Sequence, residues 1–145
     1  MKKIIWNDKT FDFGDRILNL QNQHVADLLN MIHQSPSLLS DRDFITSALE
    51  ELFEYSQECL GHEEDILTEI SCQYTQEHKQ RNWEFLTNLS TLSAMAENGS
   101  LVFPTKFEEF VEDWWENHVI REDLKCRTCI STGKRGKCSF PQKNN

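Results

Sequence analysis

Apolar residues recur every three or four positions along most of the chain, which is the spacing of one buried face of an α-helix. The first such stretch covers residues 17–34 and is followed by Ser35-Pro36-Ser37, a sequence that ends helices. Its apolar positions are Ile17, Leu20, Leu28, Met31 and Ile32. We therefore predict an amphipathic helix that turns this stripe towards a protein core.

Three further amphipathic stretches follow, each with its own start or stop signal. Ser40 precedes the second stretch as an N-cap residue, and Gly61 is a candidate break within it. Asn98-Gly99-Ser100 is a loop sequence after the third stretch, and Pro104 suits the first turn of the fourth. The three predicted helices cover residues 41–70, 76–96 and 104–124.

Four amphipathic helices joined by short connections predict an all-α fold, an up-down-up-down four-helix bundle. Only five Gly and three Pro interrupt the 145 residues, which favours long helices over many short strands. We divide the chain into an N-terminal arm (1–16), the bundle (17–124) and a tail (125–145). The tail differs in character because Cys126, Cys129 and Cys138 lie among Lys, Arg, Gly and Ser, without an amphipathic period.

Charge and composition narrow the classes of partner. The chain has 24 acidic and 15 basic residues, a formal net charge of -9, so nucleic acid is not an expected partner. No apolar run reaches the roughly 20 residues that span a bilayer, so no membrane partner is expected. The basic start lacks the apolar region of a signal peptide, and five cysteines is an odd number. Both features favour a cytoplasmic protein.

Polar residues with metal-binding side chains interrupt the apolar stripes of all four predicted helices. A buried carboxylate is costly unless it is paired or bound to a metal, and bundles build metal sites from carboxylates and imidazoles on facing helices. Two residues four positions apart lie on one face of a helix, close enough to share an ion. In chain order, the residues are His24, Cys59, Glu63, His78, Asn82, His118 and Asp123.

The pattern of these residues resembles the hemerythrins, and in particular the bacterial single-domain bacteriohemerythrins. The resemblance extends over most of the chain and implies a four-helix bundle with a non-haem di-iron site. In that site five His and two bridging carboxylates ligate the irons, and O2 binds reversibly. The matching elements are Trp6, Gln23-His24, Glu63-Glu64, His78, Phe107-x-x-Phe110-x-x-Asp113-Trp114 and Trp114-x-x-x-His118-x-x-x-x-Asp123.

The resemblance implies a role for each matching position, and two positions depart from the family pattern. The implied ligands, three imidazoles and two bridging carboxylates, are His24, His78, His118, Glu63 and Asp123. The His expected four residues before Glu63 is Cys59, and the His expected four residues after His78 is Asn82. A Cys59 thiolate suits iron or zinc, whereas Asn82 offers only a neutral carbonyl oxygen. A di-iron centre, a single metal and an empty polar core are all compatible with these residues.

The leading functional hypothesis is a hemerythrin-like protein with a degenerate iron site. It would bind or sense O2 or a related ligand such as NO, without catalytic turnover. The alternative is a bundle that has lost its metal and acts as a regulatory or scaffold module. In that case Cys126, Cys129 and Cys138 would form a redox-responsive or zinc-binding site, and the tail would contact a protein partner. A third hypothesis is a metalloenzyme that acts on peroxide or NO.

Overall fold

A computed structural model describes residues 3–123, with residues 122 and 123 as backbone only. All regular secondary structure within this range is helical. A 3-10 helix (Pro36–Ser40) precedes the second long helical stretch. One π-helical turn (Ser56–Leu60) interrupts that stretch, and a longer π-helical segment (Trp114–Asp123) ends the last one. The α-helices are α1 (Arg16–Gln34), α2 (Arg42–Tyr55), α3 (Gly61–Glu69), α4 (Thr75–Glu97) and α5 (Phe103–Asp113).

These elements form four helical stretches, which fall close to the four predicted helices and are consistent with a helical bundle. Because the π-helical turn connects α2 to α3, the second stretch is continuous past Gly61. Within residues 3–123, no helix is long and apolar enough to cross a membrane. The predicted tail and its cysteines, Cys126, Cys129 and Cys138, lie outside the described residues.

Aspartate side chains begin the first two stretches. Asp15 caps α1 by accepting hydrogen bonds from the backbone N–H groups of Ile17 and Leu18. Asp41 caps α2 in the same way. The prediction of Ser40 as the cap was therefore wrong by one residue, because Ser40 is still part of the preceding 3-10 helix. Pro104 does lie in the first turn of α5, where its missing N–H leaves no hydrogen bond unmade.

The buried face of α1 differs from the predicted stripe. Leu28 and Ile32 of that stripe are buried, whereas Ile17, Leu20 and Met31 are exposed. One of the buried residues is Asn22, whose Oδ1 accepts a hydrogen bond of 2.8 Å from the hydroxyl of Tyr55. This contact gives the side-chain oxygen of the inward-facing asparagine a hydrogen-bond partner. The buried positions are Leu18, Asn22, Val25, Ala26, Leu28, Leu29 and Ile32.

Aromatic side chains fill the core where the second, third and fourth stretches meet. The ring of Phe85 lies 4.3 Å from the ring of Trp114 and 5.8 Å from that of Tyr55, measured between centroids. The indole N–H of Trp114 donates to the hydroxyl of Tyr55 over 3.1 Å. These contacts hold the start of the π-helical segment Trp114–Asp123 against α2 and α4, and so position the residues that follow Trp114.

Candidate metal centre

Three of the predicted site residues come together in the interior. Glu63, His78 and His118 are all buried, and one ligand atom from each lies within 4.8 Å of the other two. The Nδ1 atom of His78 is 3.2 Å from Oε1 of Glu63, and Nε2 of His118 is 3.7 Å from the same oxygen. Two imidazoles and one carboxylate from three helical stretches therefore point at a common volume.

The local sequence explains the position of each donor. Glu63 lies in the first turn of α3, directly after the π-helical turn, and His78 lies in the first turn of α4. His118 lies in the π-helical segment, where its ring stacks on that of Trp114 with a centroid distance of 3.7 Å and an interplanar angle of 12°. The stack limits rotation of the His118 ring. Its plane is 81° from that of His78, so the two imidazoles meet edge to face.

Burial and charge act against each other in this cluster. Burial raises the pKa of Glu63, but the nearby His78 and His118 outweigh burial and hold that pKa well below its ordinary value. Burial lowers the pKa of His78, but the charge of Glu63 outweighs burial and raises it. For His118 burial dominates and lowers the pKa. Glu63 is thus an anion paired with His78, while His118 is a neutral imidazole, the form that binds metals.

Cys59 and Asn82 are also buried, one helical turn from the cluster along their own helices. The sulfur of Cys59 is not one of the atoms in the tight three-atom group. Asn82 donates through Nδ2 to Glu64 over 3.2 Å. Within the described part of the chain, Oδ1 of Asn82 is buried and has no hydrogen-bond partner. A buried carbonyl oxygen in this state is stabilised by any donor or cation that reaches it.

The structure does not bring His24 to the cluster. His24 is exposed, because Asn22 and Val25 occupy the inward positions of α1 and each residue advances about 100° around the helix axis. It lines a surface groove of about 710 Å³ between α1 and α2. Asp123 is the last residue of the π-helical segment, and its side chain lies outside the described part.

Sequence reasoning missed the cleft beside His118, which has a volume of about 310 Å³. Both His118 and its stacking partner Trp114 line it, together with the basic residues Arg81 and Arg121. The cleft lies between α4 and the last helical stretch. Arg81 is three residues after His78, so a helical projection of α4 could have placed it near the cluster.

The donor set fits one metal ion. Two imidazoles and one carboxylate on one side, with other positions open, is the ligand set of non-haem Fe(II) sites. The Oδ1 atom of Asn82, one turn along α4 from His78, is a further oxygen atom that could bind the ion. A second ion would need donors beyond the tight group.

The comparisons with known proteins point to one family. The chain is 20% identical over 123 residues to the bacteriohemerythrins of Pseudomonas paraeruginosa (strain PA7) and of Pseudomonas aeruginosa (strains LESB58 and PAO1). The aligned region covers 85% of this chain and 78% of each relative. No family model matches the chain, and no solved structure matches it significantly. The similarity supports a hemerythrin-like protein.

Proposed function

We propose that this protein is a hemerythrin-like, non-haem iron-binding protein with an up-down-up-down four-helix bundle, which binds or senses O2 or a related ligand such as NO. The buried cluster of Glu63, His78 and His118 is the observation that carries this proposal. These three side chains would hold the ion. When bound, iron would supply a redox-active centre with positions open to a diatomic ligand. A cytoplasmic location is part of the proposal.

The surrounding residues prepare the cluster for a cation. The carboxylate of Glu63 supplies negative charge in a buried volume, and Trp114 holds the ring of His118 in place. A neutral His118 offers a lone pair without first losing a proton. The cleft lined by Arg81, Phe85 and Trp114 gives a small ligand a path to the His118 side of the cluster.

Cys59, Asn82 and Asp123 are the residues that we propose as the remnant of a second metal position. A thiolate is a strong ligand, but the amide oxygen of Asn82 is neutral and binds transition metals weakly. His24 supplies no ligand in the observed register of α1, because it faces solvent. A site with fewer imidazoles than a full di-iron centre is therefore expected to favour one ion over two.

The proposal predicts about one iron per chain in protein purified without oxygen and without a metal-affinity tag. We expect His118→Ala to reduce the iron content at least about tenfold, because it removes a ligand from a three-donor group. The matched control is His24→Ala, which alters an exposed imidazole and should leave the iron content unchanged. Elemental analysis with absorption spectra measures both. Folded wild-type protein without iron, or equal losses in the two variants, would contradict the proposal.

Restoring histidine at the two positions that depart from the family pattern gives a second prediction. The double variant Cys59→His with Asn82→His should raise the iron content from about one towards about two per chain, because each substitution adds an imidazole to a carboxylate-containing bundle site. Circular dichroism establishes that the variant is folded. A folded double variant with an unchanged iron content would show that these positions do not face a second metal.

The metal-free regulatory module is a second candidate function, and one observation favours it. The charge of Glu63 is already compensated by His78, so the buried carboxylate does not require a metal for neutrality. In this candidate the proposed cysteine tail would mediate contact with a protein partner. A well-folded chain that contains no metal under anaerobic purification, and whose unfolding does not respond to iron, would favour this function over the first.

A further inference from the structure

We propose a second metal site, for a divalent transition-metal cation such as Mn²⁺ or Fe²⁺, at the surface of the bundle and formed by His33, Glu108 and Glu112. The three side chains each offer one ligand atom, and these atoms all lie within 4.8 Å of one another. The Nε2 atom of His33 is 2.5 Å from Oε1 of Glu112 and 3.5 Å from Oε2 of Glu108. This inference does not depend on the function proposed above.

Two helices create the arrangement. Glu108 and Glu112 are four residues apart on α5 and therefore share one of its faces, while His33 lies in the last turn of α1. The C-terminal end of a helix carries a partial negative charge that favours cations. The two carboxylates and the C-terminal end of α1 therefore both favour a cation at this cluster.

Among the residues whose side chains the structure describes, no Lys or Arg forms an ion pair with Glu108 or Glu112. Lys106, the base nearest in sequence, pairs with Glu109 at 3.8 Å. In the part of the chain that the structure describes, the ion pairs of Glu108 and Glu112 are those with His33 alone. Two carboxylates that share a single imidazole repel each other, and a divalent cation would remove that repulsion.

Exposure and ligand chemistry define the expected metal. The side chains of His33, Glu108 and Glu112 are 18%, 35% and 32% exposed, so water can complete the coordination sphere. A donor set rich in carboxylate oxygen suits Mn²⁺ and related cations, in contrast to the imidazole-rich interior cluster. Within the described residues, Nδ1 of His33 has no hydrogen-bond partner. A hydrogen bond to the second ring nitrogen of a ligating histidine strengthens metal binding, and His33 lacks one here, so we expect a modest affinity.

The test adds Mn²⁺ to full-length protein from which metal has been removed with a chelator. Nuclear magnetic resonance spectra then follow the ring signals of the histidines. A paramagnetic ion at this site should broaden the ring signals of His33 and leave those of His62 unchanged, whether or not the interior ligands His78 and His118 also respond. His62 is the internal control, because it also pairs with a carboxylate, Asp15, at 2.9 Å. Asp15 and His33 lie at opposite ends of α1, about 27 Å apart along the helix axis.

Two matched variants complete the test. Glu112→Gln should weaken Mn²⁺ binding at His33 at least about tenfold, because it removes a charged ligand of similar shape. Asp15→Asn removes the carboxylate of the control pair but keeps an N-cap residue, and should change the binding less than about twofold. Equal broadening at His33 and His62, or no effect of Glu112→Gln, would overturn the proposal. Broadening confined to His78 and His118 would also overturn it, while leaving the interior iron site standing.

Discussion

Replacing Glu63 with glutamine should lower the free energy of unfolding of the metal-free protein by about 3 kcal/mol, because it removes one partner of a buried ion pair and leaves His78 without its counter-charge. Glutamine keeps the volume of the side chain, so the loss reports charge and not a cavity. The matched control is Glu69→Gln, an exposed residue of the same helix, which should change stability by less than about 0.5 kcal/mol. Urea unfolding with a chelator present at neutral pH measures both.

The same ion pair sets a pH dependence that separates charge from packing. The pKa of Glu63 is lowered in the folded protein, so its stabilising effect is present above the ordinary carboxyl value of 4.5 and is lost as the pH falls below it. The stability difference between wild type and Glu63→Gln should therefore shrink as the solution is acidified through this range. A difference that stays constant from neutral to acid pH would assign the loss to packing and contradict the charge explanation.

Replacing Phe107 with alanine should cost about 3–5 kcal/mol of unfolding free energy, the range measured for deletion of a large buried aromatic side chain. Phe107 is 0% exposed, and its ring stacks on that of Phe103 with a centroid distance of 5.4 Å. The residue lies on α5, the helix that leads into the π-helical segment with His118. Loss of its packing should therefore also loosen the cleft side of the cluster.

Leu101 provides the control for this cavity prediction. It is 97% exposed, so Leu101→Ala removes apolar atoms that contact water and should change stability by less than about 0.5 kcal/mol. Thermal and urea unfolding of the two variants, compared with wild type, gives the result. A loss below about 1.5 kcal/mol for Phe107→Ala would contradict the packing of α5 against the core, because in a well-packed core usually only volume-conserving substitutions cost so little.

The helices could be predicted closely because their ends are encoded locally. Pro104 lies in the first turn of α5, and Gly99 follows α4 with a positive φ of 67°, a conformation that glycine adopts without strain. The register of α1 could not be predicted in the same way. Leucines occur on several of its faces, and hydrophobicity alone favours Leu20 over Asn22. Only the hydrogen bond from Tyr55, a residue of another helix, makes an inward asparagine favourable.

The residues of the candidate site could be predicted from the sequence where a polar residue continues the apolar stripe of a helix. Glu63 and His78 lie on such stripes, and the structure brings both to the cluster with His118. His24 was placed on the stripe that contained Leu20, so the error in the register of α1 carried over to it. The pair of His33 with Glu112 joins residues 79 positions apart, and periodicity within one helix gives no information on such a contact.

The π-helical segment Trp114–Asp123 makes the number of residues in this part of the chain as important as their identity. Removing one residue there would allow an ordinary α-helix to continue from α5, because a π-helical turn holds about one residue more than an α-helical turn. A deletion between Trp114 and His118 would also change the separation of this stacked pair from four residues to three without changing either residue. Insertions and deletions should be excluded from this segment among close homologues, while the loop at Gly99 can vary in length.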